Sequence, residues 1–180
     1  MEGSETLKAL LLIDLQNDFV EQNGVLYFDG AEKVIPFALE KIRYFRENGW
    51  PIITTQDWHE PDDEEFKMFP RHCVENTRGA MLQTDILKAL DGYEKHYKIF
   101  KKRYSAFFGT KFDELIDEHN LDDFEVCGVV TNICVLFTVE ELRNRDLKVR
   151  VYREGVNSYD INLHNFALVI IKEVLGAEVI

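Results

Sequence analysis

FEVCGVVTNICVLFTVEELRN, Phe124 to Asn144, is the stretch on which the fold reading turns. It opens as a mostly apolar run, crosses a polar pair at Thr131 and Asn132, and goes on to Val135, Val139 and Leu142 at helical spacing. Unalternating apolarity suits a strand covered on both faces, and the spacing after it suits a helix with one buried stripe, here predicted over residues 132–145. A strand handing over to a helix through so short a joint is the unit of a parallel sheet. Cys134 stands at that joint, beside the free N–H groups of a first helical turn.

The same rhythm extends outward from this segment. Apolar runs recur as ALLLIDL, WPIITTQ, HYKIF, LKVRVY and AEVI. Between two of them, VIPFALEKIRYFREN carries Leu39, Ile42 and Phe45 on one stripe, with Pro36 in its first turn and Gly49 as its stop. TKFDELIDEH places Phe112, Leu115, Ile116 and His119 on one side and pairs Thr110 with Asp113 in a capping-box pattern. NLHNFALVIIKEVLG is predicted to bury Leu163, Phe166, Ile170 and Val174. Strand and helix in alternation predict an α/β fold, a three-layer α/β/α sandwich with a mostly parallel central sheet. One stretch breaks the rhythm. Residues 56–84 are polar, acidic and without period, and a connection of that length in a compact domain calls for a function.

With 180 residues, 46% of them hydrophobic, the chain suits one domain over residues 1–180. Lys plus Arg number 21 against 33 Asp plus Glu, a formal net charge of -12, which argues against nucleic acid or an anionic membrane as partner. No apolar run approaches the roughly 20 residues of a membrane span. The start, MEGSETLK, is polar where a secretory signal would be basic then apolar, so a cytoplasmic location is expected. The three cysteines cannot all pair within the chain and lack Cys-x-x-Cys spacing.

Ligands of open α/β sheets bind outside the carboxyl ends of the strands, so the polar residues there are the candidates for chemistry. Asp14 ends ALLLID, where apolar neighbours raise a carboxyl toward a useful general base, although a turn cap would look the same. Asp18 is read as a solvated or capping residue. Of Lys101 and Lys102, alternation lets only one face inward. Cys127 and Cys73 suit inert core positions. Cys134 differs, since a helix entrance lowers a thiol's pKa and its N–H groups can receive an oxyanion. Asp57 and His59 project to the same side of an extended segment, and His72 can return from the long loop. Together they form an N/O set suited to zinc, iron or manganese, with Glu64 or Glu65 as a further oxygen.

Read in order, LLIDLQNDF, TTQDWH, FPRHCVENTRGA, KKRYSAF, CGVVTNICV and the terminal LGAEVI resemble the nicotinamidase branch of the isochorismatase-like cysteine hydrolases over nearly the whole chain. The resemblance implies the isochorismatase-like hydrolase fold and a catalytic triad of Asp14, Lys101 and Cys134. It implies an oxyanion hole at the N–H groups of Val130 and Cys134, with a cis peptide between Val129 and Val130. It implies one divalent metal ion, zinc ahead of iron or manganese, on Asp57, His59, His72 and a fourth ligand for which Glu65 ranks above Glu64. Phe19 and Trp58 match positions near the substrate ring. The implied activity is deamidation of nicotinamide to nicotinic acid and ammonia through a thioester, a step of NAD salvage. Alternatives are a related amidase acting on a carbamoyl or ureido compound and an inactive metal-containing binding paralogue. The isochorismatase branch, which typically has no nucleophilic cysteine at the matching place, fits less well. Apolar helix faces permit a homo-oligomer. RNRDLKV lacks the glycine common in relatives, so Asn144 or Asp146 is expected to take the left-handed conformation.

Overall fold

The computed structural model describes residues 7–180, and the polar start at residues 1–6 lies outside the described residues. In chain order the elements are β1 (Leu7–Ile13), α1 (Asn17–Val20), α2 (Val34–Glu47), β2 (Ile52–Asp57), α3 (Thr84–Leu90), β3 (His96–Lys101), α4 (Phe112–Glu118), β4 (Leu121–Val129), α5 (Leu136–Asn144), β5 (Lys148–Asn157), α6 (Ile161–Val169) and β6 (Glu178–Val179). The strands form one six-stranded sheet in the order β3-β2-β1-β4-β5-β6, and every pairing is parallel.

Alternation along β1 makes the two cores. Leu10 and Leu12 join Ala38, Ile42, Phe45 and Ile86 under α2 and α3. Leu11 and Ile13 join Phe112, Ile116, Val135, Val139 and Leu168 under α4, α5 and α6. With both faces covered, β1 needs no polar side, which is why its sequence reads as a continuous apolar run. Gly128 is required at the β1–β4 seam. It sits at φ 138, and a Cβ there would collide with the main chain of Ile13.

The chain order reverses around β1, whose neighbours are β2 and β4, and a crevice opens beyond the strand ends at that point. Ile13 lies opposite Thr55 on one side and Gly128 on the other, and Asp57 lies opposite Lys101. Pairing register therefore delivers the ends of four strands to one edge of the sheet. Among the described residues no helix is long and apolar enough to cross a membrane.

Three local expectations need correction. Thr110 does not box with Asp113. It accepts the N–H of Phe112 at 3.2 Å, while Asp113 pairs with Arg145 at 2.6 Å. On α6 and the turn after it, His164, Ala167, Leu168 and Ile171 are buried, while Leu163, Phe166 and Val174 are exposed. This helix is apolar nearly all round, so periodicity could not select the inward face. The segment around Cys134 starts as a π-helical turn, Thr131–Val135, before α5 proper. The left-handed residue after α5 is Asp146, at φ 59.

Glu125, 3% exposed on β4, collects Lys8 at 2.9 Å, Lys41 at 3.1 Å, Arg150 at 3.3 Å and the hydroxyl of Tyr152 at 2.5 Å. Burial works to raise its carboxyl, but the hydrogen bonds from Lys8, Tyr152 and Lys41 outweigh it and hold the group below its ordinary 4.5. A carboxyl depressed by folding stabilises fully above its unfolded value and loses that contribution as pH falls through the folded one. Glu125→Gln should therefore cost about 1–3 kcal/mol near neutral pH in urea denaturation, with the gap to wild type closing below about pH 4.

Candidate active site

Asp14 follows β1 in the left-handed conformation, φ 53, and its side chain is fully buried. Thr55 on β2 donates its hydroxyl to Asp14 Oδ1 at 2.6 Å. Lys101 Nζ lies 2.7 Å from Asp14 Oδ2, pairs tightly with Asp57 Oδ1 and stands 3.5 Å from Cys134 Sγ. Lys102 points outward to Glu60 at 2.5 Å. Alternation on β3 resolves which lysine enters the site.

Burial raises the Asp14 carboxyl despite the neighbouring Lys101, and the two carboxylates overcome burial to push the Lys101 ammonium well above its ordinary value. For Asp57 the outcome reverses: Lys101 and the two histidines outweigh burial and hold it strongly acidic. The Cys134 thiol is driven well above the ordinary thiol value, first by burial and then by Asp14 and Asp57, against the pull of Lys101. This runs against the expectation of a thiol acidified by a helix entrance, because desolvation and two carboxylates favour the neutral thiol.

The turn bearing Cys134 is tied down by Thr131, whose hydroxyl meets His164 Nδ1 of α6 at 2.9 Å. Ahead of it the Val129–Val130 peptide is cis. Among the described residues Val130 N–H meets no acceptor, while Val130 O receives the N–H groups of Ile133 and Val135.

Beyond Lys101, Asp57 Oδ2 lies 3.8 Å from both His59 Nε2 and His72 Nε2. His72 Nδ1 donates to Pro70 O at 2.7 Å, leaving its Nε2 lone pair toward Asp57. His59 Nδ1 lies 3.2 Å from Asp63 Oδ2. Glu65 is buried, with Oε1 3.9 Å from His72 Nε2, whereas Glu64 is exposed and pairs with Lys67. The donor set fits a divalent cation. Ligand atoms 3.8 Å apart suit bonds of about 2.0–2.2 Å to a common centre. Both ring nitrogens of His59 and Oε2 of Glu65 are buried without hydrogen bonds. Asp14, Asp57 and Cys134 also converge, but the Lys101 ammonium stands among them.

A cavity of about 270 Å³ joins the two groups, with Cys134 on one wall and Asp57, Glu65 and His72 on the other. Phe19 lines it, as expected. Trp58 does not: it turns away and packs on Phe100 at 4.7 Å, because the alternation that brings Asp57 and His59 to one side sends the residue between them to the other. Tyr27, Phe28, Phe69, Tyr104 and Ile133 also line the cavity and were not anticipated. Tyr104 and Phe69 lie close in sequence to Lys101 and His72, which is the one signal that pointed to them.

The polar stretch after Asp14 braces this arrangement. Gln16 donates to Asp57 O and Ala80 O, both at 2.8 Å, and accepts Asp57 N–H at 2.8 Å. Asp18 is half-buried and caps no helix. It accepts the N–H of Cys73, next to His72, at 2.7 Å, and it fills the space where Gly79 has no side chain.

Fold and site together define a hydrolase of the isochorismatase family, and the chain belongs to it: the sequence profile of the isochorismatase domain matches residues 8–180. Its relatives include proteins named nicotinamidases. The nicotinamidase of Escherichia coli is 30% identical, covering 86% of this chain and 84% of its own length. The crystal structure of the pyrazinamidase/nicotinamidase of Streptococcus mutans superposes with a TM-score of 0.90 at 32% identity, covering 96% of this chain and 99% of that one. The pyrazinamidase of Pyrococcus horikoshii, solved in complex with zinc, does so with a TM-score of 0.88 at 30% identity, over 96% and 98%.

Removing the inward ammonium would leave two buried carboxylates facing each other. Lys101→Met is expected to destabilise the fold by about 3–5 kcal/mol, while Lys102→Met changes stability by less than about 1 kcal/mol, both read by chemical denaturation.

Proposed function

We propose that this single-domain chain deamidates nicotinamide to nicotinic acid and ammonia, as a step of NAD salvage, with Asp14, Lys101 and Cys134 as its catalytic groups. One observation carries the reading: a thiol backed by a buried ammonium and carboxylate opens onto the same small aromatic-walled cavity as Asp57 and His72, which with the buried His59 stand at ligand spacing.

Asp14 takes the proton of Cys134 as Sγ adds to the carboxamide carbon. The oxygen that becomes negative faces the N–H groups of Val130 and Cys134. Asp14 returns its proton to the departing nitrogen, the C–N bond breaks, and ammonia leaves a thioester on Cys134. Water then adds to the thioester with Asp14 again accepting the proton, the C–S bond breaks as Asp14 returns that proton to Sγ, and nicotinic acid is released. Lys101 keeps its charge throughout and holds Asp14 against Cys134. Asp57, His59, His72 and Glu65 would hold a divalent ion, zinc by analogy with the Pyrococcus relative, which supplies a Lewis-acid anchor for the pyridine nitrogen or its bound water.

The cavity wall also distinguishes this reading from an amidase acting on carbamoyl acids. Such substrates carry a carboxylate, and the wall offers two carboxylates, Asp57 and Glu65, and no lysine or arginine. A neutral amide on a flat ring suits it better.

Ammonia release from nicotinamide should fall at least about 10³-fold in Cys134→Ala with the circular dichroism spectrum unchanged. Turnover of a carbamoyl amino acid in preference to nicotinamide would overturn the substrate assignment. Asp57→Ala, and dialysis of wild type against a chelator, should each abolish most turnover, and zinc should restore it only to the dialysed wild type.

A further inference from the structure

The loop between β2 and α3 is rich in acids, and most of them do nothing inward: Glu60, Asp62 and Glu64 face solvent. Asp63 differs, with a side chain only 6% exposed. Its two oxygens are divided. Oδ1 accepts the N–H of Glu65 at 2.9 Å and is clamped by Arg103 at 2.9 Å. Oδ2 lies 3.2 Å from His59 Nδ1, facing that nitrogen although off the line of a hydrogen bond. Arg103 stands two residues beyond Lys101, so this carboxylate links the strand that supplies the buried ammonium to the loop that supplies His59 and Glu65.

We propose that Asp63 is the positioning residue of the metal-holding cluster, fixing the tautomer and ring direction of His59 and the place of Glu65; this rests on the metal-dependent reading above. A histidine ligand needs its free lone pair aimed at the ion, and the acceptor behind the other nitrogen decides which nitrogen that is. His72 has the Pro70 carbonyl for this purpose. His59 has no main-chain acceptor, and Asp63 stands in that place. With the proton on Nδ1 facing Asp63, the lone pair of His59 Nε2 faces Asp57 Oδ2. A carboxylate behind the ring also makes the ligand nitrogen more basic than a carbonyl would. The same carboxylate turns the chain so that Glu65 enters the cavity while Glu64, its neighbour, leaves it.

A purely structural role, capping the short turn Glu64–Lys67, predicts a different outcome. Asp63→Asn keeps an oxygen for Glu65 N–H and Arg103 but removes the charge behind His59, and Asp63→Ala removes everything. Zinc affinity would be measured by competition with a chromophoric chelator, and the His59 tautomer in the metal-free protein by ¹H–¹⁵N correlation at alkaline pH, where the ring is neutral. The expected result is zinc affinity about 10–100-fold weaker in Asp63→Asn with the metal-free melting temperature unchanged. Wild-type His59 should carry its proton on Nδ1, and Asp63→Ala should show mixed tautomers. Equal zinc affinity in wild type and both variants, or a wild-type His59 protonated on Nε2, overturns the proposal. Failure of wild type to bind zinc overturns the metal reading itself, and the tautomer then decides separately whether Asp63 orients His59.

Discussion

A single ammonium group, that of Lys101, makes the centre of this molecule possible. Asp14 and Asp57 end adjacent strands and are buried side by side, an arrangement that would expel one of their charges unless a cation stood between them. An ion pair at such a distance is worth on the order of 5 kcal/mol at an effective dielectric near 20, and burying each charge costs several kcal/mol. The two nearly cancel. The cluster therefore contributes little to overall stability and much to placement, since each charge is tolerable only where the other two put it. Its geometry is inherited from the sheet: Asp57 and Lys101 face each other in register, and Asp14 emerges one residue after the partner of Thr55.

Asp57 joins the two halves of the site. One of its oxygens is taken by Lys101 and the other faces both histidines, so the carboxylate that neutralises the lysine also heads the candidate metal site. Its main chain is held from below by Gln16, and the returning loop that brings His72 is pinned by Asp18. A loop without helical or strand periodicity can be held in this way because its backbone polar groups find side-chain partners in place of a ladder.

How much of this was legible in the sequence follows from which forces leave a pattern. Strands buried on both faces show as apolar runs, and the runs named from sequence each overlap an observed strand. Inward Lys101 and Glu65 were favoured by position within motifs, and the structure places both inward, with Lys102 and Glu64 outward. The face of α6 was misread because a helix apolar all round carries no directional signal. Tyr27 and Phe28 reach the cavity from an irregular segment, where no period tells an inward residue from an outward one, and Ile133 reaches it from the π-helical turn, whose period is not that of an α-helix. Asp18 reads as a solvated or capping acid and Asp63 is not singled out, because a carboxylate accepting a distant N–H or facing a distant imidazole has the same local sequence as one facing water.

The protonation of Cys134 shows why the local reading of a motif is not enough. From sequence alone, a helix entrance predicts an acidic thiol, and one turn of oriented N–H groups would favour the anion modestly. In the fold the same sulfur is almost wholly buried and shares its surroundings with two carboxylates, and these press the proton onto it. A thiol so held rests as the neutral group, which resists oxidation better than a standing thiolate. In the proposed reaction, once Asp14 removes the proton, the anion of a weakly acidic thiol is the stronger nucleophile. Asp14 is suited to that exchange because burial has raised its own carboxyl toward the range where it can hold a proton between two steps. In the proposed reaction, the desolvation that silences the nucleophile at rest is thus also what lets its neighbour act as base and then as acid.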